Sequence, residues 1–379
     1  MTFNDWVMLL LAMVIPFGAI MGGCAYLILL ERKLSAWMQD RVGPNRAGPL
    51  GLMQPLADGI KFFLKEDMIP AHVNKFLYIL APGITCFTAL FAFAVVPYGP
   101  VNTAEGAFPF MIAPGIDLGL LFIFAVGSLN VYGVILGGWA SNNKYSALGS
   151  LRASAQVISY EIPLGMSVVG VVLLAGSMNL ETILAKQAGA GFLGWNIWYQ
   201  PLAALLFFAA SMAESNRLPF DLAECEQELV GGFHTEYSSM KFALFFLGEY
   251  AHMITLGFVF SCLFLGGWHF PGIATADSAY FGAWLVKVLV LLAKVFGVLV
   301  VVQMLRWTIP RFRFDQLMGL AWKVMIPLAT INVVLVMCAR QFDWNPLWLM
   351  PASGVLFVLA GLASPRDRCQ PARALGSAG

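Results

Sequence analysis

The sequence predicts an all-α polytopic membrane protein with eight or nine transmembrane helices, an interfacial amphipathic helix and structured cytoplasmic loops. The first reason is composition: 59% of the 379 residues are hydrophobic and only 11% are charged, whereas charged residues make up roughly a quarter of a soluble domain. The second is that apolar stretches close to the length of a bilayer crossing recur along the whole chain. The third is that most Lys and Arg residues lie in every second connection between those stretches. We therefore expect residues 1–379 to form one integral membrane domain.

Nine apolar stretches are predicted to be spans. The fifth and the ninth are shorter than the roughly 20 residues that a span needs. The first is predicted to be an uncleaved span, because it lacks the basic segment and the small-residue cleavage site of a secretory signal. The stretches are residues 6–30, 76–97, 116–139, 154–176, 198–213, 242–267, 282–305, 322–338 and 347–363.

The positions of the 22 Lys and Arg residues predict the orientation. Eighteen of them lie in residues 31–75, 140–153, 214–241 and 306–323 and in the tail 364–379. The connections on the other side hold only Lys186 and Arg340. Because cytoplasmic connections carry the excess of basic residues, we expect the N-terminus outside and the first loop, the loop 214–241 and the tail in the cytoplasm. A bacterial inner membrane is the predicted location.

The first loop, residues 31–75, is predicted to contain a helix that lies in the plane of the membrane surface. From Gly51 to Lys65, apolar and polar residues alternate with a helical period, which is typical of interfacial helices. A simple surface anchor would show the same pattern. Glycines and prolines before this stretch predict a compact loop that places Arg41 and Arg46 against the membrane surface.

The loop 214–241 is acidic, although it is predicted to face the cytoplasm. It carries six of the 21 acidic residues, namely Glu214, Asp221, Glu224, Glu226, Glu228 and Glu236. If residues 221–229 are helical, Asp221, Glu224 and Glu228 share one face, and Glu226 points elsewhere. Carboxylates this close, interspersed with apolar residues, titrate as a coupled group and are suited to proton exchange. A solvated connection between two spans is the alternative.

Several ionisable residues lie inside the predicted spans, where charge is expensive and a functional role is the usual expectation. Glu161 lies in the fourth span, Glu249 in the sixth, and Lys287 and Lys294 in the seventh. A structural pair is the alternative for each of them. We expect His252, which follows Glu249 by three positions, to be a packing residue.

The loop 306–323 places Arg306, Arg311 and Arg313 beside Asp315. These cations either set the topology, balance the acidic loop or form a docking surface for a soluble partner. The six cysteines include no CxxC pair and no His at ligand spacing, so we expect no metal or iron–sulfur site in this chain. The net charge of +1 argues against a nucleic-acid partner.

Six blocks of sequence identify a protein family more specifically than the composition does. They are ERK at 31–33, QDRVGPNRAGPLGLMQPLADGIK at 39–61, KED at 65–67, SNNKYSALGSLRASAQVISYE at 141–161, AESNRLPFDLAECEQELVGGFHTEY at 213–237 and PRFRFDQLM at 310–318. In this order they resemble the quinone-site membrane subunit of proton-pumping NADH:quinone oxidoreductase, respiratory complex I. This family comprises the H subunit in bacteria and subunit 1 in mitochondria.

The resemblance implies a membrane subunit that forms the quinone chamber and couples quinone reduction to proton translocation. Residues expected to line or brace the chamber are Arg41, Arg46, Asp58, Lys61, Asp221, Glu224, Glu226 and Glu228. Proton coupling would begin at Glu161, Glu214 and Glu249, with countercharges from Arg217, Arg306, Arg311 and Arg313. No residue of this chain would be catalytic, because the chain would hold no redox centre.

The resemblance also implies the substrate and the partners. The substrate would be a quinone, either ubiquinone or menaquinone, and FMN and iron–sulfur clusters would lie in partner subunits. Those partners would be soluble iron–sulfur quinone-module subunits on the cytoplasmic side and antiporter-like membrane subunits. Some relatives carry a further carboxylate in the third span, whereas no acid lies between Asp117 and Glu161 in this sequence. In this chain the missing carboxylate of the proton path is predicted to be replaced by water or by Asn130 and Tyr132.

Other functions stay open at this point. The closest is the related membrane subunit of a [NiFe] hydrogenase or of a reduced-deazaflavin dehydrogenase, which the GPNRAGP run and the full acidic block disfavour. A stand-alone proton or ion transporter would account for the ionisable residues inside the spans, but not for the large, charged, proline-rich loops. A purely structural anchor would leave Glu161 and Glu249 unexplained.

Overall fold

The computed structural model describes residues 3–100, 110–189, 191–221, 230–275 and 282–363. Within these ranges the regular secondary structure is helical, and the only extended pairing is an isolated bridge between Phe270 and Ala274. Seven of the described helices are long and apolar enough to cross a membrane. Two shorter apolar helices, Pro201–Glu214 and Pro346–Leu362, coincide with the fifth and ninth predicted spans. The prediction of an all-α polytopic membrane protein is confirmed.

The helices are numbered in chain order. Those in the first half are α1 Phe3–Met38, α2 Gln54–Leu64, α3 Lys75–Phe91, α4 Gly119–Ala140, α5 Lys144–Ala175, α6 Leu180–Gly189, α7 Asn196–Tyr199 and α8 Pro201–Glu214. Those in the second half are α9 Ser239–Phe264, α10 Ala283–Thr308, α11 Phe314–Gly319, α12 Ile326–Gln341 and α13 Leu349–Ala363. A π-helical segment, Leu320–Met325, joins α11 to α12.

The connections gather on two faces of the bundle. One face, called the charged face, holds the connections after α1, α2, α4, α8 and α10, several of which bond to one another. The Asn74 N–H donates to the Ala140 carbonyl (3.1 Å), and the Ser239 hydroxyl donates to the Phe62 carbonyl (2.9 Å). The other, called the opposite face, holds the connections after α3, α5 and α9.

Two helices are longer at the charged face than the hydropathy predicts. α1 continues past Leu30 to Met38, so Glu31 lies in a helix and not in the predicted loop 31–75. The chain from Glu31 to Met38 contains no Gly or Pro to break the helix, and Glu31 is buried. α5 begins at Lys144, ahead of the predicted span 154–176, because the Asn143 side chain caps it by accepting the Tyr145 N–H.

α9 is the most enclosed of the candidate spans. In its most apolar stretch, 72% of the residues are buried inside the protein, whereas the corresponding share in α1 is 22%. This is expected for a helix that is apolar around most of its circumference. Close contact with α3 depends on Gly248, because a Cβ there would lie 2.9 Å from Thr85 Cγ2. α9 therefore carries Glu249, Tyr250 and His252 into the interior of the protein.

Lys294 of α10 closes the end of α9 at the opposite face. Its ammonium group donates to the carbonyls of Leu265, Gly267 and His269 at 2.6, 2.9 and 2.6 Å and lies 4.2 Å from the centre of the Trp195 ring. These carbonyls belong to the turn that follows α9, and the C-terminal end of a helix also favours a nearby cation. Burial and then the Lys294 and Lys287 ammonium groups lower the pKa of His269 below its ordinary value, so this imidazole is neutral at pH 7.

Replacing Lys294 with Met should lower the stability of the protein by about 3 kcal/mol or more, because each hydrogen bond to a charged group contributes about 1.5–3 kcal/mol. The measurement is the thermal midpoint and the yield of the membrane protein, with Lys75→Met at the exposed start of α3 as the matched control. Equal midpoints for both variants would show that Lys294 does not hold the α9 end.

Candidate functional site

A cavity of about 450 Å³ opens between α1, α2 and α9 at the charged face; it is called the α1/α9 cavity below. Most of its wall is apolar, with side chains that interleave from the three helices. The apolar lining residues are Met21, Cys24, Ala25 and Ile28 of α1, Pro55 and Phe62 of α2, and Phe242, Ala243, Phe246 and Leu247 of α9. A wall of this kind is suited to an elongated apolar ligand.

The inner end of the α1/α9 cavity is a buried cluster of charged and phenolic groups. The Tyr250 hydroxyl donates to Glu31 Oε2 at 2.7 Å, and Arg217 Nη1 donates to the same oxygen at 3.5 Å. The Arg217 guanidinium lies 4.0 Å from the centre of the Tyr250 ring. Arg306 of α10 pairs with the other oxygen of Glu31. The side chains of Glu31 and Arg217 are only 12% and 11% exposed, so each depends on the other for charge compensation.

Gln156 of α5 holds the segment that delivers Arg217 and Asp221 to the cavity. Its amide nitrogen donates to the Ala213 carbonyl (2.9 Å) and to the Phe220 carbonyl (2.8 Å). These two acceptors lie on either side of Arg217 in the chain, so one side chain of α5 holds both ends of the segment. The loop after α8 is therefore fixed to the helix bundle where it meets the cavity.

The rim of the cavity is an exposed ion pair between α1 and α2. Arg32 Nη1 lies 2.7 Å from Asp58 Oδ2, and the Gln54 amide donates to Asp58 Oδ1 at 3.1 Å. The Arg32 side chain is 46% exposed, and exposed pairs of this kind contribute little stability, about 0–1 kcal/mol. α2 is thus held to α1 weakly at the point where a ligand would pass.

Of the eight residues expected to line or brace a chamber, Asp58 and Asp221 line the α1/α9 cavity. Arg41, Arg46 and Lys61 are exposed and do not line it. The Arg41 side chain donates to Gln39 Oε1 at 2.8 Å. Glu224, Glu226 and Glu228 lie outside the described residues.

Glu236, the last acid of the loop 214–241, is held by hydrogen bonds to two neighbouring elements. Its carboxylate accepts the Asn143 amide at 2.7 Å, and its carbonyl accepts the Tyr78 hydroxyl at 2.6 Å. The Tyr78 ring stacks on Tyr237 with ring centres 4.2 Å apart, and burial raises the pKa of Tyr237 above its ordinary value. The second half of the loop is therefore anchored to α3 and to the start of α5.

A second buried pair lies next to the cavity. His252 Nε2 of α9 is 3.1 Å from Glu214 Oε1 at the end of α8, and the two side chains are 5% and 6% exposed. The prediction that His252 is a packing residue did not anticipate this contact. Glu161 interacts electrostatically with both members of the pair, and Gly127 of α4 faces them, since a Cβ there would lie 3.6 Å from Glu214 Oε1.

Several of the predicted proton-coupling residues and countercharges are brought together. Glu161 and Glu214 interact, and Glu249 is buried on α9 close to His252 in sequence. Arg217 and Arg306 meet at Glu31, whereas the side chains of Arg311 and Arg313 lie toward the surface of the charged face. The Arg313 backbone N–H donates to Gln316 Oε1 at 3.1 Å and so helps to cap α11.

Sequence reasoning missed Glu31 and Tyr250 as site residues. Glu31 was placed in a loop, but it shares a helical face with Cys24 and Ile28 at spacings of seven and three, and both of those residues line the cavity. Extending the first span by two turns would have found it. Tyr250 gives no comparable signal, because a tyrosine beside Glu249 in an apolar helix resembles ordinary packing.

The chain is similar in sequence to known proteins over most of its length. A family model described as NADH dehydrogenase matches residues 10–337. The NADH-quinone oxidoreductase H subunit 1 of Cytophaga hutchinsonii is 47% identical over 310 residues, which cover 82% of this chain and 90% of the relative. The H subunit of Flavobacterium johnsoniae is 46% identical over 324 residues (85% and 92%), and H subunit 2 of Koribacter versatilis is 48% identical over 337 residues (86% and 94%). The chain therefore belongs to the NADH dehydrogenase family, among the H subunits of NADH-quinone oxidoreductase.

Proposed function

We propose that this chain forms the quinone chamber of NADH-quinone oxidoreductase and couples quinone reduction to proton translocation. The α1/α9 cavity carries the proposal, because it joins an apolar passage to a buried polar end. An isoprenoid quinone has the same two parts, an apolar tail and a headgroup with two carbonyl oxygens. The substrate is ubiquinone or menaquinone.

The polar end of the cavity suits the headgroup. Arg217 carries several N–H donors and is held in place by Glu31, and a quinone carbonyl is an acceptor. The Tyr250 hydroxyl donates its proton to Glu31 and so fixes the carboxylate beside Arg217. Asp221 and, further along the loop, Glu224, Glu226 and Glu228 form the acidic side of the chamber. Arg41, Arg46 and Lys61 brace its loops from outside. The lateral opening between α1, α2 and α9 admits the quinone from the bilayer.

Partner subunits supply the electrons. Soluble quinone-module subunits carry the iron–sulfur clusters, and FMN accepts electrons from NADH further away. Reduction of a quinone takes two electrons and two protons, and the electrons arrive at a headgroup surrounded by low-dielectric walls. The protonation of nearby groups must then change to compensate the new charge.

The Glu214–His252 pair lies where it can change its protonation when the quinone is reduced. Glu214 lies three residues before Arg217, and His252 lies two residues after Tyr250, so both members are close in the chain to a cavity residue. Their proton shifts pass to Glu161 and Glu249 and from there to antiporter-like membrane subunits. Gly127 is the residue of the third span that faces this pair, and it carries no carboxylate. A Cβ at Gly127 would lie 3.7 Å from the His252 ring, so His252 stands next to this position.

The orientation follows from the distribution of charge. The charged face carries most of the basic residues, so it faces the cytoplasm and docks the soluble subunits. The N-terminus lies outside, and the protein crosses the inner membrane of a bacterium several times.

Filling the cavity tests this function. Gly59 of α2 lines the cavity, and a Cβ at Gly59 would meet no heavy atom within 4 Å. Gly59→Phe should lower rotenone- or piericidin-sensitive NADH:quinone reductase activity by about tenfold or more, since overfilling a site costs about 1–3 kcal/mol. NADH:ferricyanide activity in the same membranes, which does not use the quinone site, should be unchanged.

The matched control is Ala57→Phe, which adds similar bulk to an exposed position of the same helix that does not line the cavity. This variant should retain normal quinone reductase activity. If Gly59→Phe also retains normal activity and normal apparent quinone affinity, the α1/α9 cavity is not the quinone chamber.

A further inference from the structure

Two cations from distant parts of the chain meet at the opposite face. Lys186 lies on α6 and Arg340 in the last turn of α12, and both line a pocket of about 230 Å³. They are the two basic residues of the connections on that side. The other walls of this pocket, called the opposite-face pocket, include Leu174, Ile183, Tyr199 and Pro346.

Both cations converge on the end of α5. A Cβ at Gly176 would lie 3.8 Å from Arg340 Nη2 and 3.9 Å from Lys186 Nζ. Gly176 caps α5 in the left-handed conformation (φ 69°), and Lys186 donates to the Ala175 carbonyl. The partial negative charge at a helix C-terminus stabilises one nearby cation, and the second cation adds a like charge beside the first.

No acidic side chain of the described residues lies within ion-pair distance of either cation. The nearest acids in sequence are engaged or directed elsewhere. Glu181 of α6 accepts the Gly115 N–H at 3.3 Å, and Asp343 lines a different pocket between α12 and α13. The pair therefore presents uncompensated positive charge next to an apolar wall.

We propose that the opposite-face pocket binds the phosphate of an anionic phospholipid from the adjacent leaflet. A guanidinium binds phosphate oxygens through two parallel hydrogen bonds, and an ammonium adds a point charge. The pocket lies where α5 and α12 reach the end of their apolar lengths, and large exposed apolar side chains are found at the same face. These include Leu193, Phe342 and Trp348, which are 66%, 65% and 69% exposed. Aromatic side chains at this level are typical of a membrane interface.

The site is separate from the α1/α9 cavity, so it does not depend on the quinone assignment. Arg340→Gln is the informative variant, because the described residues give Arg340 no hydrogen bond to lose and the Lys186 bond to Ala175 stays intact. The experiment uses the purified, delipidated enzyme complex and native mass spectrometry with added phosphatidylglycerol. Arg340→Gln should bind this lipid at least about tenfold more weakly, because the charge-assisted hydrogen bonds of the guanidinium are lost.

Arg340→Lys should restore part of the binding, and Lys75→Gln at the charged face should leave it unchanged. Phosphatidylcholine, which has no net charge, should compete poorly for the site. Equal phosphatidylglycerol binding by wild type and Arg340→Gln would overturn the proposal, and this is also the result expected if a partner subunit covers the pocket. Displacement of the lipid by millimolar inorganic phosphate would show a free-anion site and would overturn it as well.

Discussion

Glu31→Gln should reduce NADH:quinone reductase activity by about tenfold or more. The substitution keeps the shape of the side chain but removes the charge that Arg217 and Arg306 share. Leaving a buried charge without its partner costs about 3–5 kcal/mol, and each 1.4 kcal/mol is about a factor of ten in rate. Arg217 and Tyr250 would then lose their fixed positions at the end of the α1/α9 cavity.

The measurement is quinone reductase activity in membranes at several quinone concentrations, with NADH:ferricyanide activity as the test of assembly. Glu66→Gln is the matched control, because Glu66 is an exposed acid in the connection after α2. Normal activity of Glu31→Gln at every quinone concentration would exclude the cluster around Glu31 from the quinone step.

Glu214→Gln should uncouple proton translocation from quinone reduction. A glutamine can still contact His252, but it cannot hold or release the proton that a carboxylate exchanges. We expect the number of protons moved per NADH oxidised to fall by about half or more, as an order-of-magnitude estimate for removing one member of a coupled pair. Electron transfer should fall less than pumping, because Glu214 does not line the α1/α9 cavity.

Proton uptake by inverted membrane vesicles, measured together with NADH oxidation, gives this ratio. Glu181→Gln serves as the control, since Glu181 lies on the opposite face and accepts a backbone N–H. An unchanged ratio in Glu214→Gln would remove the Glu214–His252 pair from the coupling path and leave it a structural contact.

The spans could be predicted from the sequence because the bilayer imposes one length and one polarity on every crossing helix. The end of α1 could not be predicted in this way. Hydropathy treats Glu31 as the start of a loop, but its charge is balanced by Arg217, which is 186 positions away in sequence. Only the folded chain brings the two residues together, and their pairing keeps a charged turn of helix inside the protein.

The candidate site was predicted less completely than the fold. The family resemblance pointed to Asp58 and Asp221, which line the cavity, but a block of matching sequence does not say which way each side chain points. Arg41, for example, lies in a matching block but is exposed and does not line the cavity. The contact of His252 with Glu214 could not be predicted, because Glu214 comes from a different helix and periodicity along α9 carries no information about it.

The turn after α8 joins a residue of the α1/α9 cavity to a member of the buried Glu214–His252 pair. Glu214 and Arg217 lie within one helical turn of each other, and the Arg217 N–H donates to the Met212 carbonyl at 3.2 Å, so the two residues belong to one short hydrogen-bonded segment. On the proposed function, a headgroup that pulls on Arg217 would also change the distance between Glu214 and His252. Reduction of the quinone would then be transmitted as a displacement of less than a few ångströms, roughly the scale of known helix shifts, and no proton would have to travel from the quinone itself to the membrane interior.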